Sequence, residues 1–149
     1  MVIAVDFDGT IVEHKYPEIG EERPFATEIL KMLIADRHKL ILWTVREGKL
    51  LDDAVKWCAE RGVTFYAVNS DSSEMFAEAK KNNLSCKLNA DYFIDDCNIG
   101  GLPDWPTIYK IISKGKTWKQ IMRADILDEL VEQEPPFPKW MFWKSHRRS

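Results

Sequence analysis

Apolar residues along the first two thirds of this chain alternate between two patterns, short continuous runs and runs spaced three and four apart. Val2-Ile3-Ala4-Val5, Leu40-Ile41-Leu42-Trp43, Phe65-Tyr66-Ala67-Val68 and Tyr92-Phe93-Ile94 are the continuous runs, each of a length that suits a buried strand. Between them the spacing is helical. Pro24 suits the first residue of a helix carrying Phe25, Ile29, Leu33 and Ile34 on one face. Leu51, Ala54, Val55 and Cys58 line a second helix that Gly62 stops, and residues 73–82 read as a third. A loop rich in glycine and proline, Gly100-Gly101-Leu102-Pro103, precedes a short helix through Ile108, Ile111 and Ile112. Strands alternating with helices predict an α/β fold on a doubly wound parallel sheet.

The pattern changes beyond residue 112. Residues 113–116 read as a boundary, and Thr117 with Gln120 forms a capping box opening a helix whose row is Trp118, Met122, Ile126 and Leu130. Residues 125–134 hold five acids and no base, whereas residues 135–149 hold four Lys or Arg, no acid, and Phe137, Trp140, Phe142 and Trp143. This asymmetry predicts an α/β domain over residues 1–112 and, over residues 113–149, a C-terminal helix and an aromatic, basic arm that folds back on the protein's own surface.

Composition narrows the class. A chain of 149 residues buries a full core without disulfides or a structural metal. Its formal net charge of -3 gives no bulk attraction to nucleic acid or anionic membrane, so an anion needs a local site. Cys58, Cys86 and Cys97 are odd in number and lack metal-ligand spacing, and are expected as reduced, apolar filler. The sequence opens directly on a strand pattern and has no apolar stretch of membrane-spanning length, so a cytoplasmic protein is expected.

The chemistry lies where the strands run out. Residues i and i+2 of an extended chain point the same way, so Asp6 and Asp8 are expected to face one site after the first run, with Phe7 turned aside. Thr44 follows the second run, and Asp95 and Asp96 follow the fourth. Ligands of such sheets sit beyond the carboxyl ends of the strands, near the point where strand order reverses. Polar and acidic groups at three separate strand ends therefore predict one functional site.

In this combination Asp6-Phe7-Asp8-Gly9-Thr10, Thr44 and Asp95-Asp96 resemble the haloacid dehalogenase superfamily, and the surrounding residues, from Ile41 to Gly48 and Phe93-Ile94-Asp95-Asp96, resemble its small bacterial hydrolases. The resemblance covers residues 1–112. It implies a Rossmann-like core and a Mg²⁺-dependent phosphomonoester hydrolase acting on a small phosphorylated metabolite through an aspartyl-phosphate. Asp6 is then the nucleophile and Asp8 the acid and base. Asp6, the Asp8 backbone carbonyl and Asp95 hold the metal, with Asp96 in contact or through water. Two anions meeting at Asp6 require a cation, and Mg²⁺ suits hard oxygen donors. Negative charge around Asp8 would raise its pKa and so supply the proton its double role needs.

Four further residues take roles from the resemblance. Gly9 lets the backbone turn at the substrate, and Thr44 binds the phosphoryl group, a strand-capping threonine being its alternative reading. Arg46 binds substrate or is an exposed partner of Glu47. Lys87, eight residues before Asp95, is the active-site lysine, in competition with Lys80 and Lys81. Cys97 stands where relatives often carry a basic residue. Both intervals open to a cap insertion are short or already used, so no cap domain is expected, only a flap containing His14. An open site of this kind implies large substrates or walls supplied by a second copy, in a homo-oligomer. Two competing readings are a phosphatase for nucleic-acid ends, using Lys139, Lys144, Arg147 and Arg148, and a non-catalytic interaction module built on the arm. The acidic balance opposes the first reading. The mutual repulsion of the clustered carboxylates opposes the second.

Overall fold

The computed structural model describes residues 1–70 and 87–115. Four parallel strands, β1 (Val2–Val5), β2 (Lys39–Leu42), β3 (Ala67–Val68) and β4 (Tyr92–Ile94), form one sheet in the order β3-β2-β1-β4. Three helices, α1 (Ala26–Ala35), α2 (Gly48–Glu60) and α3 (Trp105–Lys114), complete the described α/β fold. The chain divides into two units, Met1–Tyr109 and Lys110–Ser149, with the boundary inside α3. The helix expected over residues 73–82, Lys80, Lys81, Cys86 and the arm beyond Gly115 lie outside the described residues.

The sheet owes its continuous apolar runs to burial from both sides. Ile3, Ala4 and Val5 of β1 and Leu40, Ile41 and Leu42 of β2 are all buried, as expected of central parallel strands. Val5 pairs with Leu42 on one side and Ile94 on the other, so the three strands end at the same level. On one face Ala4, Ile41 and Leu88 pack together, with Val2, Trp43, Ala67 and Ala90 around them. Burying a side chain such as Leu88 is worth ~1.5–3 kcal/mol.

The element boundaries correct the sequence reading in three places. β2 begins at Lys39 and ends at Leu42, because Lys39 N–H donates to Met1 and Trp43 lies beyond the last paired residue. β3 is only Ala67–Val68 at the sheet edge, and Tyr66 is exposed, its ring covered by the Lys39 ammonium. Pro24 sits in the turn before α1 and Phe25 faces solvent, since Phe25 adopts a left-handed conformation ahead of the helix. The open N-terminus of α1 is capped from outside, by Glu22 accepting the Thr27 N–H and O–H.

Among the described residues no helix is long and apolar enough to cross a membrane.

Candidate functional site

β1 leads outward to β2 and β3, then the chain returns across β1 to β4, so the order reverses between β1 and β4. That crevice is where the first acidic motif meets the last. Asp6 N–H continues the ladder by donating to Ile94, which brings Asp6 beside Asp95 and Asp96 at the carboxyl edge. After Asp6 the chain folds sharply, the N–H groups of Thr10, Ile11 and Val12 all pointing at the Phe7 carbonyl. Phe7 is buried against the edge of the Trp57 ring of α2, as expected of the residue turned away from the site.

Thr10 organises the crevice. Wholly buried, it donates its O–H to Asp6 Oδ2 at 3.0 Å and accepts the Asp96 N–H at 3.0 Å. Its carbonyl accepts the indole N–H of Trp105, the first residue of α3, at 3.2 Å. One threonine thus joins the β1 end, the β4 end and the start of α3. Gly9 is required beside it, for two reasons: its φ is +90°, and any Cβ there would collide with the Asp96 carboxylate. Asp95 Oδ1 accepts the Cys97 N–H, and the donor atoms of Asp95, Asp96 and Cys97 lie within 4.8 Å of one another.

Burial, and to a smaller extent the neighbouring carboxylates, leave a signature on Asp6. Burial above all, then Asp95 and Asp96, push its pKa up to about 6, although Phe7 N–H and the Thr10 hydroxyl pull the other way. Cys97 is exposed, not filler, and the acids Asp96 and Asp95 raise its thiol pKa. Only Cys58 of the described cysteines is buried, with its pKa raised to about 12 by burial.

Asp8 pairs with Arg46. Both its oxygens accept from Arg46, Nε at 2.6 Å and Nη2 at 2.7 Å, in a buried two-point ion pair. Arg46 is correspondingly 0% exposed. Its remaining bonds go to the flap, Nη1 to the Pro17 carbonyl at 3.0 Å and Nη2 to the Glu18 carbonyl at 2.8 Å. The expectation of an exposed Arg46 paired with Glu47 is therefore corrected, because its guanidinium is buried and bonded to Asp8 and the flap. Both Asp8 oxygens act as acceptors in this pairing.

The flap itself is a small hairpin. Glu13 N–H donates to Glu21 and Arg23 N–H to Ile11, with Val12 bridging Glu22. Gly20 packs against the Glu13 carbonyl so closely that a Cβ has no room. Between flap and α2 lies an open cleft of about 470 Å³ lined by Pro17, Glu18, Ile19, Arg46, Leu50 and Asp53. His14 is exposed.

Thr44 stands at the end of the β2 segment, half-buried. Its hydroxyl accepts the Arg46 N–H at 3.2 Å, and its own N–H donates to Asn69 Oδ1 at 2.8 Å. Among the described residues none accepts its hydroxyl proton. Asn69 N–H in turn donates to Leu42, and the residue has φ of 52°, a left-handed conformation that asparagine tolerates. Lys87 is exposed, one residue before the buried Leu88. Thr10, Asn69 and Trp105 were not singled out as site residues from sequence. For Thr10 the signal was present in the Asp6-to-Thr10 string, whereas Asn69 and Trp105 carry none beyond a turn-forming residue and a lone aromatic.

Comparison with known proteins adds relatedness without an activity. No family model matches the sequence, and no curated protein matches it. A solved structure of a conserved protein from Bacteroides thetaiotaomicron is similar at 58% identity with a TM-score of 0.74, the match covering 81% of this chain and 96% of that one. At that identity and coverage, the chain belongs to the same family as this conserved Bacteroides protein.

Proposed function

We propose that this protein is a Mg²⁺-dependent phosphomonoester hydrolase of the haloacid dehalogenase type, acting on a small phosphorylated metabolite through a phosphorylated Asp6. The observation that carries the reading is the gathering of Asp6, Asp95 and Asp96 at the reversal of strand order, with Asp6 destabilised as an anion by burial and by its two neighbours.

The donor set fits the ion. Carboxylate oxygens of Asp6, Asp95 and Asp96 and the Asp8 backbone carbonyl would hold Mg²⁺, a hard cation that takes oxygen ligands and keeps several waters. The Cys97 thiol, whose pKa its acidic neighbours raise, is a poor competitor. Bound there, Mg²⁺ would offset the repulsion between the carboxylates and a phosphate.

The chain's own residues divide the remaining work. Thr10 anchors Asp6 Oδ2, which fixes the carboxylate and leaves Oδ1 for attack on phosphorus. The Thr44 hydroxyl donates its free proton to a phosphoryl oxygen, and Lys87 supplies positive charge to the same group. Gly9 leaves the space that Asp96 occupies. Asp8 protonates the departing alkoxide and later takes a proton from the water that hydrolyses phospho-Asp6, which requires its carboxyl group to turn away from Arg46. The same reading includes a doubly wound, capless core, cytoplasmic location and assembly into a homo-oligomer that walls the open site.

Phosphate release from a broad panel of phosphorylated metabolites, with and without Mg²⁺, tests the function. Release should need Mg²⁺ and fall at least a thousandfold in Asp6→Asn. Turnover that survives in Asp6→Asn would exclude Asp6 as nucleophile.

A further inference from the structure

We infer that Arg46 is a positioning residue that couples the flap to Asp8, so that whatever seats itself under the flap also sets the orientation of the Asp8 carboxylate. The catalytic consequence rests on the phosphatase reading above; the coupling itself does not. Arg46 donates four hydrogen bonds, two to Asp8 and two to the flap carbonyls of Pro17 and Glu18. Its guanidinium carbon also lies 5.4 Å from the ring centre of the flap residue Tyr16, and 5.1 Å from that of Phe7. The two bonds to Asp8 are buried, so they are little diluted by water, whereas those to the flap carbonyls are part-buried.

Arginine is needed for this geometry. A planar guanidinium presents several N–H groups in a fixed fork, able to hold a carboxylate with one edge while bonding backbone carbonyls with another. A lysine ammonium could satisfy one side or the other. Because the two sides share one rigid group, a shift of residues 16–18 moves the hold on Asp8, and a departure of Asp8 loosens the flap. The cleft between flap and α2, with Arg46 in its lining, is where the body of a leaving group would press on this coupling. Substrate binding in the cleft would then move Asp8 off Arg46 and free it for proton transfer.

Hydrogen exchange on the full-length protein, followed at the flap amides of Glu13 and Arg23, separates coupling from simple support. Asp8→Asn keeps the shape of the side chain and leaves the backbone bridge between Asp8 and Val12 in place. It should speed exchange at these amides at least tenfold, Arg46→Met should do the same, and the double variant should add no more than twofold. Exchange in Asp8→Asn within twofold of wild type, or fully additive effects, would overturn the coupling whatever the enzyme's activity. If Arg46→Met does not fold, Arg46→Lys serves, with exchange accelerated at least threefold. In the kinetic arm, with p-nitrophenyl phosphate and Mg²⁺, Arg46→Lys should raise KM and lower kcat together, each at least fivefold. A change confined to KM would overturn the link to Asp8. Absence of turnover by the wild-type protein would count against the phosphatase reading and leave the exchange result standing.

Discussion

Asp6 is asked to be an anion in a place that disfavours one. Its pKa of about 6 lies well above the value of 3.8 for a free aspartate. An acid whose pKa is raised on folding binds more protons folded than unfolded, so stability falls as pH rises between the two values. For the metal-free protein, stability should decline from pH 4 to about 6 and then level off. The rise in pKa corresponds to ~3 kcal/mol at full burial, reduced to about 1–2 kcal/mol because Asp6 is only half-buried and screened by solvent. Urea unfolding in a chelator should show Asp6→Asn gaining this amount on wild type at pH 7.5 and nothing at pH 4. Equal stabilities at pH 7.5 would contradict the placement of the three carboxylates. Thr10→Val has the opposite sign, since it removes the bond to Asp6 and strands the Asp96 N–H. A loss of about 1–2 kcal/mol is expected in the same measurement, with phosphate release down about tenfold.

Much of this residue-scale detail was hidden for a physical reason. The apolar run before Asp6 and the acid pair after Ile94 are local patterns, readable because a strand end has few alternatives. Arg46 could not be read the same way. Its partner Asp8 is 38 residues away, and its other acceptors are backbone carbonyls that no side-chain identity reveals. The spacing of Asp6 and Asp8 is local, but the pairing of Asp8 with Arg46 is set by the turn that follows, where the Thr10, Ile11 and Val12 N–H groups close on the Phe7 carbonyl.

At the scale of elements, the ends of β1, β2 and β4 are level because their registers agree, and short polar links then tie them. Asn69 is such a link, joining the ends of β2 and β3 through Leu42 and Thr44. Asn69→Ala should cost about 1–3 kcal/mol, from two sources: the lost side-chain bond and a left-handed conformation that alanine resists. Asn69→Gly should recover the conformational share, and thermal unfolding of the pair separates the two. β1 and β4 were legible to the residue. β3 was not, because the register pairing of an edge strand stops at Ala67 and Val68 even though the flanking Tyr66 and Asn69 N–H groups still donate to Leu40 and Leu42.

For the whole molecule, the topology places the site where two runs of the chain diverge, and the fold becomes a carrier for three carboxylates that repel one another. A cation is therefore expected to stabilise the protein as well as serve it. Mg²⁺ at a hundredfold excess over its dissociation constant contributes about 2.7 kcal/mol by mass action. The rise in melting temperature should be larger at pH 7.5 than at pH 5, where protonated Asp6 competes with the metal, and it should shrink in Asp95→Asn. An equal rise at both pH values would mean that Asp6 is not a ligand.

The most direct test is whether Asp6 accepts a phosphoryl group. Beryllofluoride mimics a phosphoryl group on a carboxylate, and ¹⁹F NMR detects it when bound. Bound resonances should appear with wild-type protein only when Mg²⁺ is present, and should be absent from Asp6→Asn. Resonances that persist in Asp6→Asn, or none with the wild-type protein and Mg²⁺, would contradict phosphoryl transfer through Asp6.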